Sequence, residues 1–377
     1  RDVAPSRGLG DVYKRQGYHW QVALLAVFVE GIIFIVLSLT NVREAIFDAI
    51  PLNLKKGVSV GIGIFIAFIG LQNAKLVIGN KSTLVSITNF TKDFHTAGIC
   101  SLLAVIGLLI TVILYIKKVP GSILIGILAT WVIGMLCQIT GIYVPDFKTG
   151  YYSLFPTFAM TDFSKLGETF GKCFQYDLGK VGIFNFIAVV LSFLFVDLFD
   201  TLGTLVGVST KAGMLNEEGK LPGIKPALMA DAVATTAGAV LGTSTVTTFV
   251  ESSSGVAAGG RTGLTAVVSG FLFLISTLFA PLFTAIPSFA TAPALIMVGF
   301  LMFGAISDIK FTDDNMTEAV PAYLCIIAMP LFYSISEGIS IGIISYVILN
   351  VVCGKAKKIT PLMYVLAVLF ILKYAVL

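Results

Sequence analysis

Four carboxylates stand where charge is hard to accommodate. Asp197 and Asp200 lie about halfway along FNFIAVVLSFLFVDLFDTLGTLVG, Glu30 sits within AVFVEGIIF, and Glu251 follows the run LGTSTVTTFV. An acid at the centre of an apolar membrane helix costs about 2.5 to 3.5 kcal/mol on insertion scales, so each is a candidate for function. Asp197 and Asp200 are three residues apart and share one helix face, with Thr201 one turn beyond Asp197 on the same side. Such a face can accept N–H bonds from a ligand, and it can carry a proton because desolvation disfavours the ionised carboxylate. It can equally be a hydrogen-bonding joint between helices. Glu30, one residue before a glycine, has the same two readings: a coupling residue or a structural partner.

The stretch LGTSTVTTFVESSSGVAAGGRTG, from Leu241 to Gly263, is too polar and glycine-rich for a lipid-facing helix, yet it joins two apolar segments. Thr243 to Val250 reads as an extended run of β-branched residues. Glu251-Ser252-Ser253-Ser254 reads as the capped start of a helix. An extended strand leading into a half-helix is tolerated at membrane depth only when buried in protein or lining a cavity. Unpaired backbone N–H groups and the positive end of the helix then meet a ligand at the midplane. The plain alternative is a re-entrant structural loop with a solvated Glu251.

These residues must be positioned by membrane helices. Of 377 residues, 56% are hydrophobic and only 12% charged, about half the usual charge of a soluble chain. Mean hydropathy is +0.95. This balance excludes a soluble enzyme, a disordered protein and a nucleic-acid binder, and it predicts an all-α polytopic protein of the cell membrane. About eleven apolar segments are expected, near 20–39, 58–78, 99–116, 122–142, 181–208, 224–241, 263–279, 291–306, 319–332, 339–353 and 362–376. The last is short enough to lie at the interface instead of crossing. Thirteen basic residues on one set of loops, Arg43, Lys55, Lys56, Lys117 and Lys118 among them, face seven on the other, which puts the first set inside. The net charge of +4 is too small to imply a polyanionic partner.

Residues 1–16, RDVAPSRGLGDVYKRQ, are polar and basic without an apolar core, so they are no signal peptide; they read as a tail or a non-native extension outside the fold. The five cysteines are far apart and are expected to be small apolar packing residues. His19 and His95 are expected at the interface, Gln72-Asn73 is an intramembrane amide pair, and Asp231 lies in a small-residue segment suited to close helix packing.

The motif VDLFDTLGTLVGV, followed by NEEGKLPGIKPALMADAVATTAGAVLGTSTVTTFVESSSGVAAGGRTGLTAVVSG, resembles the adenine/guanine/hypoxanthine permease branch of the xanthine/uracil permease superfamily. TNVREAI near the start and PLFYSISEGISIGIISYV near the end extend the likeness over nearly everything after Gly17. The resemblance implies fourteen membrane segments in two inverted repeats, arranged as a core and a gate domain. The present chain resembles the segments from the fourth onward, about eleven of the fourteen, as an N-terminally truncated permease would. It implies a core built from 17–40 and 181–280, a gate built from 58–142 and 291–377, and an extracytoplasmic linker over 143–180. The third segment's strand, which would pair with Thr243 to Val250, is then expected to be missing.

By motif, the resemblance implies substrate contact for Asp197, Thr201, Phe249, Glu251 and Ser252, and proton coupling through Asp197, Asp200 and Glu251. Which of Asp197 and Asp200 touches substrate stays open. The implied function is secondary active import of purine nucleobases with protons. A purine offers ring N–H donors to a carboxylate, and its acceptors suit backbone N–H groups. The partners are the base, the proton and the bilayer, with a homodimer left open; no cofactor or metal is implied. The alternative, an anion transporter or channel of the same architecture, calls for a basic site where this one is acidic. An enzyme is disfavoured: no metal-ligand cluster, nucleophile elbow or phosphate loop occurs, and two histidines leave little acid–base machinery.

Overall fold

A computed structural model describes residues 20–91, 93–146, 148, 150–175 and 182–376. The basic stretch 1–16 and His19 lie outside the described residues, as do Lys92 and Lys180. Among those described, eight helices are long and apolar enough to cross a membrane, and three shorter apolar helices stand where further segments were expected. The protein is an all-α polytopic membrane protein. The chain forms two compact units, one from 1–61, 162–250 and 305–377, the other from 62–161 and 251–304.

The first unit holds α1 (Trp20–Leu39), the short α2 (Val42–Ala49) and the start of α3 (Leu52–Asn73). Its other helices among those named here are α6 (Ile183–Ala212), α7 (Ile224–Leu241), α11 (Met316–Phe332), α12 (Ile335–Val352) and α13 (Pro361–Val376). Val22, Ala23, Ala26 and Val27 recur at helical spacing on α1 and pack with Phe186, Val189, Val190 and Phe193 of α6 and Ala239 of α7. The link NVREAIFDAIP, expected to be a connection, forms α2 instead. Arg43, Ile46 and Phe47 recur at i, i+3 and i+4, and all three are buried. α13 packs on its neighbours, with Phe370 buried 4.6 Å from the ring of Phe199 and Lys373 Nζ 2.5 Å from Glu337 Oε1.

The second unit comprises the rest of α3, a hairpin, α4 (Ile99–Ile116), α5 (Ser122–Ile139), α8 (Ser252–Ala257), α9 (Gly263–Leu278) and α10 (Ser288–Phe303). The hairpin, β1 (Val77–Asn80) with β2 (Leu84–Ile87), pairs antiparallel with Val77 opposite Ile87. It was not expected; its turn is fixed by Asn80, whose Oδ1 accepts the backbone N–H of Ser82 at 2.8 Å and its hydroxyl at 2.8 Å. Around Trp131, Phe289, Ile99 and Leu103 lies this unit's core. The aromatic stretch after α5 packs back on it: Trp131 Nε1 donates to Leu154 O (2.8 Å), and Leu154 N–H donates to Gln138 Oε1 (2.7 Å).

Cys100, Cys173 and Cys325 are buried as expected of packing residues, and Cys137 is half-buried. Cys353 departs from that expectation: it stands exposed just beyond the end of α12.

Close approach between α3 and α10 depends on two glycines facing each other. A Cβ built at Gly299 would lie 2.4 Å from the carbonyl oxygen of Gly63, and one at Gly63 would lie 2.8 Å from that of Gly299. Backbone cannot yield as a side-chain tip can, so the helices would have to part. Gly299→Ala is therefore expected to destabilise the protein by about 1 to 3 kcal/mol. Gly270→Ala, where nothing lies within 4 Å, is the control. Thermal unfolding in detergent reads both; equal midpoints for the two variants would contradict the close-packing account.

Candidate functional site

Asp197 is carried on α6, a thirty-residue helix whose middle sets Asp197, Asp200 and Thr201 among apolar residues. It is 4% exposed, and Thr201, one turn on, is fully buried. Thr201 Oγ1 lies 3.5 Å from Asp197 Oδ1, and 3.3 and 3.4 Å from the two carboxylate oxygens of Asp231 on α7. One hydroxyl proton serves only one acceptor at a time, so Thr201 bridges the two acids loosely.

The firm contact of the cluster comes from α2. Arg43 Nη2 donates to Asp231 Oδ2 at 2.8 Å, with both side chains out of solvent, and Nη1 donates to Leu228 O at 3.0 Å. The guanidinium also lies 4.2 Å from the ring centre of Phe34. Arg43 was expected among the loop cations that set orientation. It is the largest fully buried side chain of the protein among the described residues. Lys55 likewise leaves the loop set: it is buried, donates to Gly219 O at 2.8 Å and lies over Phe47.

Glu30 on α1 is also fully buried, and its carboxyl is a side-chain partner of Asp197. α1 also approaches α7 closely at the next residue: a Cβ at Gly31 would fall 2.3 Å from Thr236 Oγ1 and 2.9 Å from Thr236 N. Sequence reading had Asp231 as a packing residue and missed Arg43; the signal available was a basic residue on the apolar face of a short amphipathic helix.

Asp200 is sent elsewhere. Its carboxyl takes the backbone N–H of Ser336 at the start of α12, near Lys373 of α13. That helix start is capped by Ser334, whose Oγ accepts from Glu337 N–H at 3.3 Å. So Asp197 and Asp200, expected on one face, serve different neighbours.

Residues 243–249 have no regular secondary structure. They are tied to α7 by Thr243 N–H to Gly238 O and by Thr235 Oγ1 to Val246 O, both 2.9 Å. Thr235 is one turn beyond Asp231, so a single face of α7 serves both the acid cluster and this irregular segment. Phe249 is 60% exposed.

Glu251 and Ser252 belong to the second unit, where both are exposed at the head of the six-residue α8. The expected side-chain cap is not formed: Glu251 makes no capping bond, and Ser254 Oγ instead donates to Glu251 O at 2.7 Å. Ser253 is buried with its hydroxyl unpartnered.

A family model described as Permease family, Xan_ur_permease, matches residues 4–341. The chain is similar to the guanine/hypoxanthine permease PbuG of Bacillus subtilis, with 46% identity over 94% of this chain and 76% of that one. It is similar to the adenine permease AdeP of Escherichia coli, with 37% identity over 98% of this chain and 79% of that one. Among solved structures it is similar to one described as the overall structure of SLC26A9, at a TM-score of 0.42 and 14% identity, covering 89% of this chain and 51% of the other.

Removing one partner of a buried ion pair leaves an uncompensated charge, whereas replacing both by apolar groups does not. Arg43→Met is expected to cost about 3 to 5 kcal/mol, and the double variant Arg43→Met/Asp231→Leu to recover most of it. The thermal midpoints of the three proteins decide the matter; a double variant as unstable as the single one would refute the pairing.

Proposed function

The chain belongs to the Permease family, in its purine-permease branch, and from that premise we propose that it imports purine nucleobases, adenine, guanine or hypoxanthine, together with protons. It is a multi-pass transporter of the cell membrane, in a family of permeases rather than of enzymes. The observation that carries the proposal is the buried carboxylate of Asp197, in a cluster whose α7 member, Asp231, lies one turn from the anchor of a segment, 243–249, that forms neither helix nor strand.

A carboxylate accepts ring N–H groups, and free backbone N–H groups donate to ring nitrogens or carbonyls; together they read the edge of a planar base. In this reading Asp197 and Thr201 hold the base from one helix. Phe249 offers a ring face, and Glu251 and the backbone of Ser252, in the other unit, are proposed to supply recognition groups of their own. Of the two acids on α6, Asp197 is the substrate-facing one, since the carboxyl of Asp200 is engaged by Ser336 N–H. The coupling proton travels on the acids Asp197, Asp200 and Glu251. Residues 17–40 and 181–280 act as the core, and 58–142 with 291–377 as the gate.

Two outcomes test this. Glu251→Gln is expected to abolish uptake of labelled hypoxanthine in permease-deficient cells while surface expression is kept; unimpaired uptake overturns the assignment of Glu251. In the unaltered protein an inward proton gradient is expected to stimulate uptake and a protonophore to abolish it. Uptake that follows sodium and ignores the protonophore would show that the coupling ion is not the proton.

A further inference from the structure

Glu30 is the acid of the cluster without an assigned task. Its side chain is fully buried at the middle of α1, and neither carboxylate oxygen has a hydrogen-bond donor; the same is true of Asp197 Oδ2. Yet the two carboxyl groups are side-chain partners within hydrogen-bonding reach of each other. Ionised carboxylates are acceptors only, so two of them face to face repel unless a proton lies between them.

The surrounding charges sharpen this. α6 contributes Asp197 and, further off, Asp200; α7 contributes Asp231; α2 contributes Arg43. The turn at Lys172–Phe174, which also packs on α1, brings Lys172, but its ammonium goes to Gln175 Oε1 at 2.7 Å. Arg43 is thus the one cation facing the cluster among the described residues, and its short contact is to Asp231. Glu30 and Asp197 are left with two negative charges and no counter-charge of their own, an arrangement a dry interior does not hold. These acids are not arranged to hold a metal ion, and no such group occurs among the described residues.

We propose that Glu30 and Asp197 share one proton as a carboxyl pair, with Arg43 and Asp231 as its fixed electrostatic background, and that Glu30 is thereby a proton-binding residue of the transport cycle. The role in transport rests on the proton coupling proposed above. The proton bridges one oxygen of each residue; no other bond forms or breaks. When a base approaches and offers its N–H to Asp197, the proton moves wholly to Glu30, and Asp197 becomes a full acceptor. When the base leaves, the pair closes again. Glu30 is in this sense the reservoir that lets Asp197 alternate between acid partner and substrate acceptor.

Infrared difference spectroscopy of the full chain in lipid, taken across a pH step in H2O and D2O, tests the pair directly. A carboxylic-acid C=O band that shifts on deuteration is expected in the unaltered protein. It should be lost in Glu30→Gln and equally in Asp197→Asn, and kept in Asp200→Asn. Glu30→Asp, which keeps the acid and shortens its reach, should move the band; this variant serves if Glu30→Gln does not fold. A band indifferent to both Glu30 substitutions, or no acid band in the unaltered protein at neutral pH, overturns the proposal. Transport supplies the second arm: in Glu30→Gln, accumulation of labelled hypoxanthine driven by a proton gradient should be lost. If the unaltered protein transports the base without regard to a protonophore while the band behaves as stated, the coupling reading fails and the shared proton stands.

Discussion

Three carboxylates and one guanidinium share a dry interior between α1, α2, α6 and α7, and the first unit is arranged around that imbalance. Taking an ion out of water costs several kcal/mol even after relaxation, so each buried charge must find a partner or a proton. Arg43 meets this need for Asp231 at 2.8 Å. Delivering Arg43 requires α2, a helix of only eight residues that turns its basic residue inward with Ile46 and Phe47. α1, which brings Glu30 beside Asp197 of α6, also lies close on α7, where Gly31 faces Thr236. The apolar contacts of Val22, Ala26 and Val27 with Phe186 and Phe193 then hold the helices at that distance. Packing and electrostatics therefore fix the same interface.

Much of the frame is legible in the sequence because a membrane helix announces itself by length and apolarity alone. The expected segments at Trp20–Leu39, Ile99–Ile116 and Ile224–Leu241 match helices to the residue. Others shift by a few positions where the flanking residues are themselves good helix formers. The hairpin at Val77 to Ile87 escaped notice because its signal is short and its turn is set by the local bonds of Asn80, which no hydrophobic period reveals. Arg43 and Lys55 were misplaced for a different reason. Counting loop cations treats every Lys and Arg as solvated, and it cannot see that a guanidinium on the apolar face of an amphipathic turn has a buried acid to meet 188 residues away.

The separation of Asp197 from Asp200 shows how far spacing can be trusted. Residues three apart on a helix are about 60° apart around its axis, near enough to be neighbours yet far enough to address different partners. α6 is packed on more than one side, so that angle suffices to send Asp197 toward Glu30 and Asp231 and Asp200 toward the start of α12. One acid joins a cluster short of positive charge. The other meets a helix start, where a backbone N–H and the positive end of the dipole receive it. Two identical side chains on one turn thus acquire different surroundings: Asp200 has one backbone N–H and a nearby ammonium with its Oδ1 still unpartnered, and Asp197 lies among other acids with its Oδ2 unpartnered.

The neighbouring α7, which carries Asp231, also holds an irregular segment. Backbone groups away from water must be paired, and a run that is neither helix nor strand pairs few of them by itself. Residues 243–249 borrow from α7 instead, through Gly238 O and Thr235 Oγ1, and five of the seven are threonine or serine. Hydroxyls on such a run can turn to serve whichever backbone group lacks a partner. The face of α7 that holds Asp231 in its ion pair also anchors this segment one turn away. A shift of α7 that disturbed Arg43 and Asp231 would therefore move Val246 as well, and the charge balance around Asp197 and the placement of the irregular segment are set by the same helix.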